Sequence, residues 1–304
     1  MLLRAASILL LLACVLAPRA FAQTGTESPR VRVAVLDFGG TETGRRVSEA
    51  LAGALADGRF KAVDRNLSRD AARGTGYTGS LNLTLQEARD LGAAIDCDFF
   101  VTGDARTFRR SPSTGAVYFE SYASVFVVSA HTGRLMRWDR PSREAATHEA
   151  AEKALLDEVG RLAALCRRDI LRWQDDESAR RRMMAAAARE ATPAFEDAPE
   201  EGSAAAANFR EPAPYRRLRP TYTDEAARAG AEATVDVSVE IGADGEVARV
   251  EVVRWAGFGL DDAVVSIVRQ MHFRPATRDG VPISVRVLLR YNFRPPKKTD
   301  GRKQ

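Results

Sequence analysis

The sequence predicts an α+β / α/β two-domain protein: an N-terminal α/β sandwich with a mixed sheet, then a C-terminal three-stranded sheet backed by helices. Residues 31–175 alternate strand and helix signals, and residues 216–295 do so again. Between them, residues 176–215 shift to Ala, Glu, Arg and Pro, which fits a helical extension followed by a flexible linker. At 45% hydrophobic and 28% charged residues, the chain can bury ordinary globular cores.

Residues 1–22 have one early cation (Arg4), an apolar run from Ser7 to Ala17, a helix-breaking Pro18, and Ala20-Phe21-Ala22 ahead of Gln23. This is the pattern of a cleaved export signal peptide, with Ala20 and Ala22 as the small residues before the cut and Gln23 as the new terminus. The apolar run is shorter than the roughly 20 residues of a spanning helix. An alternative stays open: Leu11-Leu12-Ala13-Cys14 resembles a lipobox, which would leave a lipoprotein anchored through Cys14. Without Arg4 and Arg19 the formal charge of +4 becomes +2. The basic clusters Arg180-Arg181-Arg182 and Lys297-Lys298 lack interleaved aromatics, so nucleic acid is not an expected partner.

The first part opens with VRVAVLDFGG, a near-continuous apolar run that suits a buried strand. A helix follows with Val47, Leu51, Ala54 and Leu55 on one face, then FKAVDR as a second strand. Thr84 and Glu87 form a capping box for a helix striped by Leu85, Ala88, Leu91 and Ile95. DFFVTGDARTF and YFESYASVFVVSA are strands, HTGR turns the chain into LMRW, and a long helix follows. Leu155, Val159, Leu162, Cys166, Ile170 and Trp173 recur along it at helical spacing. Cys97, in IDCDFFVTG, shares a face with Phe99 and Val101, so Cys97 and Cys166 are expected in one helix-on-sheet interface. A disulfide and two buried free thiols both remain compatible with that placement.

Two local motifs lack their context. Asp37-Phe38-Gly39 stands without the other kinase elements, and GTGYTG at 74–79 does not join a strand to a helix. His131, His148 and His272 are dispersed, so no metal site is expected, nor a cofactor. With no nucleophile beside a base and no carboxylate pair in a glycine-rich cleft, the chain does not read as an enzyme, and no small-molecule substrate is evident.

VAVLDF, GRFKAVDRNL, LGAAIDCDFFVTGDA and VVSAHTGRL follow one another in an order that weakly resembles periplasmic domains of the curli-secretion-lipoprotein and penicillin-binding-protein-activator type. That resemblance implies an envelope assembly or docking module with no shared catalytic centre.

The second part contains a short helix over 224–229 and a strand with Val235, Val237, Val239 and Ile241 on one face. A turn at Asp244-Gly245 leads to the strand VARVEVVRW. That turn is no calcium loop, since Ala248, Val250 and Val252 stand where oxygen donors would be needed. A helix follows with Leu260, Val264, Ile267, Val268 and Met271 on one side. In the last strand Val285, Val287, Leu289, Tyr291 and Phe293 alternate with Ser284, Arg286, Arg290 and Asn292. Only a basic tail, 296–304, comes after it. A last strand with arginines on its wet face is expected at a sheet edge, where charge guards unpaired amides and where an incoming strand can add. One of the amides of Arg286 and Leu288 is expected to face that open edge.

Pro220-x-Tyr222, Ala227-x-x-Gly230, ADGEV, EVVRWAG, Leu260-Asp261 and FRPATRDG occur here in the order and spacing of the TonB C-terminal domain family, which residues 216–295 closely resemble. The resemblance implies a periplasmic docking protein of the cell envelope, within transmembrane transport at the outer membrane. It also implies binding to an outer-membrane receptor or other envelope protein by strand addition. By position, the partner-binding residues are Arg217, Arg219, Pro220 and Tyr222 ahead of the first helix, and Ile283, Val285, Arg286, Val287, Leu288, Arg290 and Asn292 on the last strand. A homodimer through the same edge is the competing occupant. The alternative function is a cell-envelope assembly or scaffold factor without a role in energised transport. Thr223 stands where the family usually has proline after Tyr222, and no uncleaved membrane helix or long proline-rich spacer is evident, which argues against direct transmission of proton-motive force.

Overall fold

The computed structural model describes residues 31–187, 195–200 and 202–295. The expected signal peptide with Ala20, Ala22 and Gln23, the lipobox cysteine Cys14 and the basic tail 296–304 lie outside the described residues.

The first half is a mixed sheet with helices on both faces. Its elements are β1 (Val31–Val35), α1 (Glu42–Leu55), β2 (Phe60–Ala62), α2 (Arg65–Gly74), α3 (Leu85–Ile95), β3 (Phe99–Arg110), β4 (Tyr118–Ser129), β5 (Leu135–Asp139), β6 (Ser142–Ala145), α4 (His148–Leu156) and α5 (Val159–Ala187). The strand order is β2-β1-β3-β4-β5, with β6 beside β5 along the long β4. Pairing is parallel from β2 through β3 and antiparallel beyond it, as the change from strand-helix alternation to consecutive strands predicts. Thr84 and Glu87 close the expected capping box on α3.

Strand alternation divides the side chains into two cores. Val31, Val33, Val35, Phe99, Val101, Val125 and Val127 pack under α1, α4 and α5. Ala34, Leu36, Phe100, Phe126 and Val128 point the other way, toward α2 and α3. This division corrects the expectation for the cysteines. Cys166 on α5 lies in the first core and Cys97 in the second, and both are free and buried. The strand begins only at Phe99, after a left-handed Asp96 (φ 58°), so the two-residue period cannot be extended back to Cys97. Burial pushes each thiol up to about 12.

The second half begins with β7 (Glu196–Asp197), a 3₁₀ turn at Ala204–Ala206, β8 (Phe209–Arg210) and β9 (Ala213–Pro214). Then come α6 (Asp224–Ala229), β10 (Ala233–Ile241), β11 (Val247–Arg254), α7 (Leu260–Val268), β12 (Phe273–Arg274), β13 (Ala276–Arg278), β14 (Val281–Ile283) and β15 (Val285–Phe293). The principal sheet has the order β11-β10-β15-β7. Val235, Val237, Val239 and Ile241 are fully buried, in one core with Leu260, Val264 and Val268 of α7. At the β10–β11 turn Gly245 has φ +85°, and an added Cβ would sit 1.9 Å from the Phe273 carbonyl oxygen, so only glycine fits.

Three short segments expected within a flexible linker, Glu196–Asp197, Phe209–Arg210 and Ala213–Pro214, instead pair as strands, and of these only β7 joins the principal sheet. Besides β7, β8 pairs with β13 and β9 with β12. Two-residue strands of mixed polarity carry no periodic signal, which is why the sequence shows only a linker there.

The two halves also dock, which no periodicity predicts. The C-terminal sheet covers the part of the second face that α2 and α3 leave open. Trp255 is 2% exposed, stacks on Phe126 with ring centroids 5.8 Å apart, and donates its indole N–H to the Gly133 carbonyl at 3.1 Å. Phe258 packs edge-on against Phe126 (5.4 Å) and tilted against Trp138 (5.7 Å). It does so from a left-handed run, Gly257, Phe258 and Gly259 at φ 73°, 52° and 72°. The strained non-glycine member is held because its ring is buried in that cluster. Asn82 supplies a strand-like link, donating from Nδ2 to the carbonyls of Thr234 (2.8 Å) and Trp255 (2.5 Å) while its Oδ1 accepts from the Thr234 N–H (3.0 Å). The Arg134–Glu251 and Arg254–Glu87 ion pairs rim the contact.

Candidate protein-docking edge

β15 has two sides. Along the inner one, every residue from Val285 to Phe293 is in register with β10, from Ile241 back to Ala233. On the outer side β7 runs parallel and pairs only with Val285 and Arg286. The Glu196 N–H donates to the Ser284 carbonyl at 3.2 Å and the Ala198 N–H to the Arg286 carbonyl at 3.0 Å. Backbone groups alternate sides along a strand, so residues 284 and 286 face outward, and Leu288, Arg290 and Asn292 follow the same parity. The amides of Arg286 and Leu288 therefore both face the outer edge, not one of the two, because they are two residues apart. Among the described residues no strand pairs with the outer side of β15 beyond Arg286.

Side chains alternate as the sequence predicts: Val285 and Phe293 are buried, Val287, Leu289 and Tyr291 half-buried, and Arg286, Leu288, Arg290 and Asn292 exposed. The arginines do more than guard an edge. Arg290 grips Asp236, its neighbour on β10, through two bonds of 2.8 and 3.0 Å, and Arg254 reaches the same carboxylate at 3.2 Å. Burial raises the Asp236 pKa, and the two guanidiniums outweigh it, so the group stays below its ordinary value. Arg254 also reaches Glu87, so the two guanidiniums are matched by two carboxylates in this cluster. Arg286 bonds Glu240 across the sheet at 2.9 Å and Asp197 of β7 at 3.1 Å. Asn292 accepts from the Thr234 hydroxyl at 2.8 Å.

Beside the free stretch runs a groove of about 380 Å³, lined on its apolar side by Leu218, Met271, Phe273, Val287, Leu289 and Tyr291. Arg217 and Arg290 stand on its polar side together with Glu211. Arg217 thus lines the groove with residues of the last strand, while Arg219 is exposed and Pro220 half-buried. Tyr222 is an anchor for this stretch: its hydroxyl donates toward the Ala226 and Ala231 carbonyls (3.0 and 2.7 Å), and its ring lies 6.4 Å from that of Phe293. Ile283 belongs to the β13–β14 hairpin, opposite Ala276, and not to the open edge. Thr223, the departure from the family pattern, caps α6 by accepting from Ala226 N–H at 3.1 Å and ties it to the interface by donating to the Phe258 carbonyl at 2.6 Å. The sequence reading missed the groove residues Met271 and Phe273 and the edge residues Glu196 and Asp197. Met271 showed only as a core position of α7, and the acidic pair only as linker.

The site is thus a short sheet packed on helices, with an exposed stretch of strand edge on β15 and an apolar groove beside it. Residues 219–295 match the family described as Gram-negative bacterial TonB protein C-terminal, so this part of the chain is similar to that family's domain. No match was found among the curated proteins. Among solved structures, the chain is similar to the hypothetical protein CT253 from Chlamydia trachomatis, at 10% identity, 45% of this chain, 98% of that one and a TM-score of 0.34. It is also similar to lipoprotein GNA1162 from Neisseria meningitidis (10% identity, 44% and 98% covered, TM-score 0.32) and to E. coli LpoB (16%, 40% and 60%, 0.28). Likenesses at this level carry no argument about function. Among the described residues, no helix is long and apolar enough to cross a membrane.

Proposed function

We propose that this chain is a docking protein of the bacterial periplasm that binds an outer-membrane receptor or another envelope protein by adding the partner's extended segment to the outer edge of β15. The observation that carries the reading is the edge itself. It already accepts a short strand at Val285–Arg286 and continues past it, beside an apolar groove, with no strand paired to it among the described residues. Main-chain bonds to such an edge supply affinity, and alternate side chains entering the groove supply specificity. A scaffold or assembly role, without energised transport, is favoured by the buried Trp255–Phe126 contact: the C-terminal sheet is held against the first half and not carried on a long spacer.

Photo-crosslinking tests the reading. With a photoreactive amino acid at position 288 or 292, cells should yield adducts to an extended segment of an envelope protein, and a probe at exposed position 243 should not. Adducts found equally at 243, or only between copies of the chain, would sink it in favour of non-specific contact or a homodimer.

A further inference from the structure

We propose that residues 195–200, Phe-Glu-Asp-Ala-Pro-Glu, are an internal competitor for the β15 edge, and that the partner they exclude is an extended acidic segment; this rests on the strand-addition reading above. β7 already has the geometry of a bound strand. It lies parallel to β15, gives the Glu196 and Ala198 amides to the Ser284 and Arg286 carbonyls, and sets its two carboxylates on two arginines. Glu196 meets Arg278 at 2.7 Å and Asp197 meets Arg286 at 3.1 Å. Every one of these groups is exposed or half-exposed, so the segment is held by contacts of modest strength that a second strand can replace.

The seat is also short by construction. The next outward carbonyl is that of Leu288, but among the described residues the ladder ends at the Ala198 N–H, and the Glu200 carbonyl closes a turn by accepting from the Ser203 N–H at 3.1 Å. Leu288, Arg290 and Asn292 are left for an incoming strand. A partner that pairs along the whole outer edge, from Ser284 onward, must displace β7, and it then inherits the same cations. With Glu196 gone, Arg278 is left without that carboxylate. Further along, Arg290 and Arg217 stand on the polar side of the groove, with Glu211 beside them. The two ion pairs that hold β7, Glu196 with Arg278 and Asp197 with Arg286, therefore select an acidic strand at this seat.

The test uses the full chain and a fluorescent synthetic peptide of sequence FEDAPE as the probe strand. Glu196→Ala/Asp197→Ala removes the two ion pairs of the internal strand, and the peptide should bind this variant roughly fivefold tighter than the parent. A peptide with lysine at both carboxylate positions next to phenylalanine should not bind. Methylating the peptide at the two amides that match Glu196 and Ala198 should abolish binding, a control that leaves the protein's fold untouched. Equal binding to parent and variant, still abolished by N-methylation, would overturn internal competition and leave strand addition standing. Binding indifferent to N-methylation would overturn both. Binding of the lysine peptide as tightly as the acidic one would overturn the acidic assignment.

Discussion

Replacing Trp255 by alanine probes the contact that joins the two halves. The side chain is 2% exposed, so truncation empties a space the size of an indole between two sheets, and large-to-small changes of this kind cost about 3–5 kcal/mol. The Gly133 carbonyl also loses the indole donor at 3.1 Å, which adds about 1 kcal/mol. Against a total stability of about 5–15 kcal/mol, the loss is large. Trp255→Phe separates the two contributions, since it keeps a ring over Phe126 and loses only the hydrogen bond and part of the volume; about 1–2 kcal/mol is expected. Urea unfolding followed by far-ultraviolet circular dichroism is the suitable assay, because removing a tryptophan alters fluorescence directly. The parent should unfold in one cooperative transition, and the alanine variant should shift to lower urea or split into two. A Trp255→Ala unfolding free energy within about 1 kcal/mol of the parent's would refute the docking account.

Asn82→Ala should cost about 2–3 kcal/mol in the same assay, since it strips three hydrogen bonds from the interface and leaves Thr234 without its side-chain partner. The Asp236 pKa is lowered on folding, so its contribution is complete above the unfolded value of about 4 and is lost as the pH falls through the folded one. Stability measured from pH 6 downward should therefore fall less steeply in Asp236→Asn, which starts less stable because Arg290 and Arg254 lose their shared anion. Cys97 and Cys166, buried with thiols pushed up to about 12, should resist alkylation in the native protein and react fully in denaturant. A non-reducing peptide map showing them joined would contradict the separate placement of the two residues.

The strands of the C-terminal sheet were legible because each buries one face: Val235 to Ile241 and Val285 to Phe293 alternate strictly, and the Asp244-Gly245 turn sits between long runs. The helix α2 was not, because it buries little beyond Ser68 and Ala72 and leaves Leu67 67% exposed. β7 escaped for a related reason: a two-residue strand held by backbone bonds and exposed charge has no apolar period to detect. The role of Tyr222 was half legible. Its position before α6 was recognised, while its anchoring bonds to Ala226 and Ala231 depend on how the chain folds back. Trp255 was visible only as part of a motif, since the surface it covers is formed by residues more than a hundred positions earlier.

That separation has a consequence for the order in which the protein can form. Asn82 and Trp255 are 173 residues apart, and Trp255 and Gly133 are 122 apart, so the contact has a high contact order. During synthesis the N-terminal sheet can assemble from neighbours close in sequence, but Phe126 and Trp138 must wait, uncovered, until residue 258 has been made. For that interval the nascent protein carries an aromatic patch that the finished molecule conceals. Holding factors and stray partners would meet it there, in a species that a purified, fully folded sample does not contain.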